Sequence, residues 1–193
     1  MRVAGGSVFV DGAFEPASVE VEDGRIAAVG PSSGCSAPEA GDLDATDCYV
    51  VPGFIDLHFH GCVGADLCDA TVESLRAIAR HEAACGVTAV CPATMTYPEE
   101  RLGAIMDVAA AFSPSDDEAA LVGVNMEGPF ISPERIGAQN PAYVQRAGAA
   151  SLRRLGQACG CRSRGAGSAG LRRRGGRRGA GAGGPSGRRR VPV

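Results

Sequence analysis

Between residues 50 and 126, dense apolar runs alternate with segments whose apolar residues have helical spacing. Residues 49 to 51 and 54 to 59 are rich in apolar side chains, as is typical of a strand buried on both faces. The resulting order of strand, helix, strand, helix and strand predicts a parallel sheet with crossover helices. A doubly wound sheet and a β/α barrel share this pattern, so the pattern alone leaves both open.

The helical segments carry signals at their ends. Residues 71 to 85 have one apolar face, with Thr71 predicted as the N-cap and Gly86 as the C-cap. Thr96 and Glu99 have the spacing of a capping box, which predicts a helix from there to about residue 112. Further strands are expected at residues 87 to 91 and 121 to 126, and another helix near residue 141.

Residues 1 to 50 have a different pattern, of short alternating strands separated by turn residues. Asp11-Gly12 and Asp23-Gly24 are hairpin-turn signals between β-branched runs. The segment is too short to bury a large core of its own. We therefore expect it to form one half of a small β-sandwich or barrel.

Charge separates the end of the chain from the rest. All 22 Asp and Glu precede residue 151, whereas residues 151–193 hold 12 Arg and no acid, and Lys is absent throughout. Residues 156–193 cannot bury enough surface to offset backbone ordering, which predicts a disordered tail. A GC-rich gene read out of frame gives the same Arg, Gly and Ala usage. A basic arm for nucleic acid is the alternative; because the tail has no aromatic residue for base stacking, we expect no nucleic-acid partner.

The cysteine and hydropathy patterns exclude several protein classes. None of the eight cysteines forms a C-x-x-C pair, which argues against a zinc knuckle or a thioredoxin-like motif. Cys85 and Cys91 flank an apolar run and are expected to be small buried side chains. No signal-peptide pattern and no apolar stretch of about 20 residues occurs, so we expect a cytoplasmic protein without a membrane partner.

His58 and His60 are the first candidate ligands. They are two residues apart at the end of a predicted strand, so their side chains project to the same side. The carboxyl ends of strands are where α/β folds build their sites, and two imidazoles there suit a divalent metal. The chain has only three His, and the third, His81, falls within the predicted helix and is expected on the surface.

Glu127 is the second candidate, because it ends another apolar strand and is followed at once by Gly128-Pro129. A carboxylate at this position would lie at the same rim as His58 and His60. There it could ligate a metal or act as a general base. A Glu that merely caps a helix is the alternative for this residue taken alone.

Together these blocks resemble a known family. Residues 52 to 60, Pro-Gly-Phe-Ile-Asp-Leu-His-Phe-His, resemble the first-strand motif of the amidohydrolase superfamily. Residues 127 to 133, Glu-Gly-Pro-Phe-Ile-Ser-Pro, with Gly-Ala-Gln-Asn-Pro at 137 to 141, resemble N-acetylglucosamine-6-phosphate deacetylases within it. The likeness covers roughly residues 1 to 155. It implies an α/β fold in which residues 51–155 form about three units of a partial (β/α)8 TIM-type barrel, preceded by part of a β-sandwich.

The resemblance also implies a reaction and a set of site residues. The reaction is metal-dependent deacetylation of N-acetyl-D-glucosamine 6-phosphate in amino-sugar catabolism, with one or two zinc or iron ions. Glu127, His58 and His60 match the family's metal ligands, and Ala138 and Gln139 match a loop that touches the amino-sugar phosphate. Many members have His where this chain has Gln139. The full-length member is expected to be a homodimer.

In the family, the Asp that protonates the leaving amine and two further metal-binding His lie on later strands. Residues 151–193 contain no His, Asp or Glu, so we expect this fragment to be inactive. The leading hypothesis is a deacetylase gene frameshifted after about residue 155. Another amidohydrolase, such as a dihydroorotase, and a non-catalytic remnant with a nucleic-acid-binding tail are the alternatives.

Overall fold

A computed structural model describes residues 1–31, 38–146, 148 and 153. The chain divides into two compact units, one from Met1 to Pro52 and the other beginning at Gly53. Strands and helices occur together, which confirms the α/β class. The expected tail at 156–193 lies outside the described residues. No helix in the described part of the chain is long and apolar enough to cross a membrane.

The first unit is a six-stranded sheet in which β1 (Arg2–Ala4) and β2 (Ser7–Val10) flank the long β3 (Ala13–Glu22). As expected, Asp11 and Asp23 adopt left-handed backbone angles, each with φ of 49°, at the turns of two hairpins. Val8, Ala17 and Val19 are the buried centre of this sheet. The strands are β1 (Arg2–Ala4), β2 (Ser7–Val10), β3 (Ala13–Glu22), β4 (Arg25–Pro31), β5 (Leu43–Asp44) and β6 (Tyr49–Val50).

The second unit contains a three-stranded parallel sheet in the order β11 (Ala120–Leu121), β10 (Val87–Val90) and β7 (Phe54–Asp56), which confirms the predicted parallel pairing. Two helices link consecutive strands of this sheet, and a short antiparallel pair, β8 with β9, follows the first strand. Leu67, Leu75, Leu102 and Ile105 form the buried core. The elements are β7 (Phe54–Asp56), β8 (Gly61–Cys62), β9 (Ala65–Asp66), α1 (Val72–Ala84), β10 (Val87–Val90), α2 (Glu99–Ala111) and β11 (Ala120–Leu121).

Helix α1 matches its sequence signals at both ends. The Thr71 hydroxyl accepts a hydrogen bond from the Ser74 backbone N–H at 3.2 Å, so Thr71 is the N-cap. The helix ends at Ala84 with Cys85 at the C-cap position, one residue before the predicted Gly86, which follows with φ of 84°, a conformation that glycine adopts without strain. His81 is exposed, as predicted.

The predicted capping box at Thr96 is wrong. Helix α2 begins at Glu99 with Pro98 at the N-cap position and no side-chain cap. The Thr96 hydroxyl instead donates to the backbone carbonyl of Glu127 at 3.0 Å. The Thr96 hydroxyl therefore bonds to a residue distant in sequence and not, as the local pattern predicts, to the N-terminus of α2. The strand expected at 121 to 126 is shorter than predicted, and the helix expected near residue 141 is a single 3₁₀ turn, Pro141–Tyr143.

The burial predicted for the first strand of the second unit is also wrong. Phe54, Ile55 and Leu57 are 60%, 61% and 62% exposed, in and just after β7, which is an edge strand among the described residues. Cys85 is exposed and Cys91 only half-buried, against the expectation of two buried side chains. Cys85 lies beyond the last turn of α1, where its sulfur is 3.8 Å from His81 Nε2.

Candidate metal centre

The segment after β7 carries His58 and His60, and hydrogen bonds to several neighbouring segments hold its backbone. The Asp56 carboxylate accepts from the His58 backbone N–H at 3.0 Å. The Phe59 carbonyl accepts from the Ala93 N–H at 2.6 Å, which extends the pairing of this segment with the segment after β10. The His60 carbonyl accepts from the Leu67 N–H at 3.3 Å. The two imidazoles therefore project from a backbone that hydrogen bonds hold in place.

Glu127 is positioned by the extension of β11. Asn125 forms a parallel bridge with Ala93, and its backbone N–H donates to the Pro92 carbonyl at 2.9 Å. Glu127 follows two residues later, so it projects to the same side as Asn125. Gly128 then turns the chain away with φ of 98°. A carboxylate from the segment after β11 and two imidazoles from the segment after β7 therefore meet beyond the carboxyl ends of parallel strands.

The three predicted ligands converge. Glu127 Oε2 lies 3.2 Å from His60 Nε2 and 3.4 Å from His58 Nε2. All three candidate ligand atoms are within 4.8 Å of one another. The side chains are partly open, at 54% exposed for His58, 38% for His60 and 37% for Glu127. Solvent and a small molecule can therefore reach the cluster.

The cluster has the chemistry of a divalent-metal half-site. Four-coordinate zinc at bond lengths of about 2.1 Å holds its ligand atoms about 3.4 Å apart, close to the separations seen here. Glu127 Oε2 and His60 Nδ1 are buried atoms without a hydrogen-bond partner in the described part of the chain. Buried polar atoms normally have partners, so the unsatisfied carboxylate oxygen between two imidazoles fits a cation.

Neither Ala138 nor Gln139 forms a hydrogen bond with His58, His60 or Glu127 in the described part of the chain. Ala138 is exposed, whereas Gln139 is only 7% exposed. Gln139 Oε1 accepts from the Thr96 backbone N–H at 2.7 Å, and Nε2 lies 3.7 Å from the Met95 sulfur. The link from Gln139 to the cluster runs through Thr96, whose hydroxyl reaches the Glu127 carbonyl.

Sequence reasoning missed two residues that shape the cluster, Thr96 and Asn125. Thr96 is 2% exposed, and a Cβ added at Gly128 would clash with its hydroxyl oxygen, so the loop after Glu127 packs directly on it. Asn125 Nδ2 lies 3.1 Å from the Leu57 carbonyl and 3.0 Å from His58 Nδ1. Alternation along the strand was a usable signal for Asn125, because it precedes Glu127 by two residues.

Comparison with known proteins gives a consistent group of relatives, although no protein-family model matches the chain. N-acetylglucosamine-6-phosphate deacetylase of Lysinibacillus sphaericus is 33% identical over 138 residues, 71% of this chain and 35% of that protein. Its counterpart from Vibrio furnissii is 36% identical over 118 residues, 61% of this chain and 29% of that protein.

A solved structure gives the same match in three dimensions. The crystal structure of N-acetyl-D-glucosamine-6-phosphate deacetylase from Mycobacterium smegmatis has a TM-score of 0.70 and 25% identity, covering 82% of this chain and 44% of that one. The chain spans about a third of the length of the curated relatives it matches.

Proposed function

We propose that this chain, which is homologous to the N-terminal portion of N-acetylglucosamine-6-phosphate deacetylases, carries metal ligands of such an enzyme. The reaction is hydrolysis of the acetamide of N-acetyl-D-glucosamine 6-phosphate to glucosamine 6-phosphate and acetate, a step of amino-sugar catabolism. The single observation that carries the proposal is the convergence of His58, His60 and Glu127 at the ends of parallel strands.

In this proposal His58, His60 and Glu127 hold a divalent ion, zinc or iron. When bound, such an ion makes water a nucleophile near neutral pH and polarises the amide carbonyl. The work of the chain is to orient the two imidazoles and the carboxylate from separate strands and to leave them open to substrate. The exposed loop at Ala138, with Gln139 behind it, is proposed to lie beside the amino-sugar phosphate.

Cleaving an amide also needs an acid for the leaving amine. Residues 151–193 contain no His, Asp or Glu that could serve as this acid or complete the ligand set. We therefore propose that these 193 residues alone do not turn over substrate. A cytoplasmic location, and a homodimer for the full-length family member, are proposed on the family resemblance alone.

The proposed domain organisation follows the same resemblance. Residues 1–50 correspond to the N-terminal half of a small β-sandwich, and residues 51–155 to about three units of a (β/α)8 barrel. The three parallel strands in chain order support the barrel. Residues 156–193 are proposed to be an out-of-frame tail. Sequencing the gene from about codon 145 tests this, since another frame should resume with strand–helix rhythm, two His and a late Asp.

Zinc titration of the 193-residue chain tests the metal centre. Glu127→Gln should weaken zinc affinity at least about tenfold, because an amide oxygen is a much poorer zinc ligand than a carboxylate. Glu100→Gln, on the exposed first turn of α2, is the matched control and should bind like the parent chain. Equal zinc affinity in the parent and Glu127→Gln would show that the cluster is not the metal site.

A further inference from the structure

Asn125 makes two contacts that fix the orientation of its amide. Its Nδ2 lies 3.1 Å from the Leu57 carbonyl oxygen and 3.0 Å from His58 Nδ1. An amide nitrogen only donates hydrogen bonds, and it has two hydrogens, one for each of these contacts. Turning the amide over would bring its oxygen against the Leu57 carbonyl, two acceptors facing each other. The Leu57 contact therefore identifies the atom that faces His58 as the nitrogen.

This orientation determines where His58 carries its proton. Because Asn125 donates, His58 Nδ1 must accept, and the hydrogen of the neutral imidazole is then on Nε2. Nε2 is also the atom that faces Glu127 Oε2, at 3.4 Å. A ring nitrogen that carries hydrogen has no lone pair for a metal. Histidines that bind metal through Nε2 normally show the opposite arrangement, with Nδ1–H donating to an acceptor.

His60 is not restrained in this way. Its Nδ1 is buried and has no hydrogen-bond partner among the described residues, and its Nε2 is 3.2 Å from Glu127 Oε2. His60 can therefore carry its proton on either ring nitrogen without losing a hydrogen bond to a described residue. The two imidazoles of the pair are therefore unequal as ligands, although the sequence presents them as a symmetrical pair.

We propose that Asn125 is a positioning residue that holds His58 in the tautomer unable to ligate through Nε2. An ion then binds first through His60 and Glu127, and His58 joins only after giving up the Asn125 contact. Asn125 would thereby lower the affinity of the His58, His60 and Glu127 cluster for a metal ion. This inference rests on the proposed metal centre.

The tautomer can be measured directly in the metal-free chain by the ¹⁵N shifts of the imidazoles, at a pH where histidine is neutral. With three His in the chain, His81→Gln and His60→Gln assign the signals. We expect the His58 proton on Nε2 in the parent chain. A His58 proton on Nδ1 there would overturn the inference, whatever the metal affinity.

Substitutions then test the consequence for metal binding, by competition for zinc against a chromophoric chelator. Asn125→Ala removes the donor without adding charge and should raise zinc affinity several-fold. Asn125→Asp supplies an acceptor, should move the His58 proton to Nδ1, and should raise affinity about 10- to 100-fold. Asn140→Asp is the matched charge control, since its side-chain oxygen caps the Ala142 N–H and keeps that role as a carboxylate.

The outcomes separate the two proposals. Lower zinc affinity in a folded Asn125→Ala chain would mean that Asn125 supports ligation, which contradicts the inference. If Asn125→Ala is unfolded by circular dichroism, Asn125→Ser replaces it, and the tautomer measured in the parent still decides. Zinc binding by none of the variants would overturn the metal centre and this inference together. Normal zinc binding with the Nδ1–H tautomer would overturn the inference alone.

Discussion

At the residue scale, Thr96 connects the loop after β10 to the loop that carries Glu127. Its backbone N–H donates to Gln139 Oε1 at 2.7 Å, and its hydroxyl donates to the Glu127 carbonyl at 3.0 Å. The first bond is buried and the second partly buried, and an unpaired polar group is costly in such surroundings. One side chain therefore helps to fix the backbone from which the candidate carboxylate ligand projects.

We expect Thr96→Val to reduce the free energy of unfolding by about 1 to 2 kcal/mol, because the shape is kept but the Glu127 carbonyl loses its donor. Zinc affinity should fall about tenfold through loss of positioning. Thr96→Ser retains the hydroxyl and is the control. Chemical denaturation and zinc titration check the two effects, and unchanged zinc affinity in Thr96→Val would remove Thr96 from the support of Glu127.

His58, His60 and Glu127 could be selected from the sequence because strand alternation and strand ends are local properties. Alternation also gives the side to which Asn125 projects, but the hydrogen-bond partners of Thr96, Asn125 and Gln139 could not be predicted in this way. The partner of Gln139 is 43 positions earlier, and that of Asn125 is 67 positions earlier. Such pairs depend on how strands are brought together, and the only local signal at Thr96 pointed to a helix cap.

At the element scale, Glu118 joins the segment after α2 to helix α1. Its carboxylate, fully buried, accepts from the Ser115 backbone N–H at 2.9 Å and pairs with Arg76 at 2.7 Å. Arg80, one turn further along α1, is 3.2 Å from the other oxygen. The hydrogen bond from Ser115 and that from Arg76 lower the pKa of Glu118 despite its desolvation.

The sign of this shift predicts a pH dependence. A carboxyl whose folded-state pKa is depressed stabilises the fold above its ordinary pKa of 4.5, and the stabilisation is lost as pH falls through the folded-state value. We expect Glu118→Gln to lower the free energy of unfolding at pH 7 by about 2 kcal/mol and to flatten its acid dependence. Thermal unfolding between pH 7 and pH 3 measures both.

Asp117→Asn is the matched control for that experiment. Asp117 pairs with Arg80 at 3.3 Å, but both side chains are more than half exposed. Its loss should change stability by less than about 0.5 kcal/mol. If the two substitutions have equal effects, the buried position of Glu118 is not what stabilises this connection.

Element types were more predictable than element ends. Helix α1 has Thr71 before it, Gly86 after it and one buried apolar face, so all its signals agree. Strand β11 has only two residues, because pairing beyond it is reduced to the bridge between Ala93 and Asn125. The apolar run at 121 to 126 indicates burial, which a strand and an irregular segment at a strand end provide equally well.

At the scale of the whole molecule, β7 leaves large apolar side chains exposed. Phe54, Ile55 and Leu57 are each about 60% exposed, and β7 is an edge strand among the described residues. An exposed apolar edge strand can associate with other chains. We expect the 193-residue chain to bind a hydrophobic dye and to self-associate, and Ile55→Ser with Leu57→Ser to reduce both.

Ile26→Ser is the control for this prediction, since Ile26 is 54% exposed but belongs to β4 in the other unit. Dye fluorescence and sedimentation velocity give the two readouts. Equal reductions by the control and by the β7 substitutions would contradict a specific role for the β7 edge.

Deletion of residues 156–193 tests the alternative of a nucleic-acid-binding protein. This segment holds 10 Arg and no acid, so salt-dependent RNA binding that disappears on its deletion would support that alternative, whereas we expect no RNA binding. We expect zinc affinity at His58, His60 and Glu127 to be unchanged by the deletion.

The parallel sheet has its strands in the order in which they occur along the chain, β7, β10 and β11. During synthesis, residues emerge from the N-terminus onward at about 5 to 20 per second. When β10 emerges, β7 is already available, and when β11 emerges, the free edge of β10 is its partner. The sheet can therefore grow on the ribosome by successive additions to one edge, and none of these strands has to insert between two that are already paired.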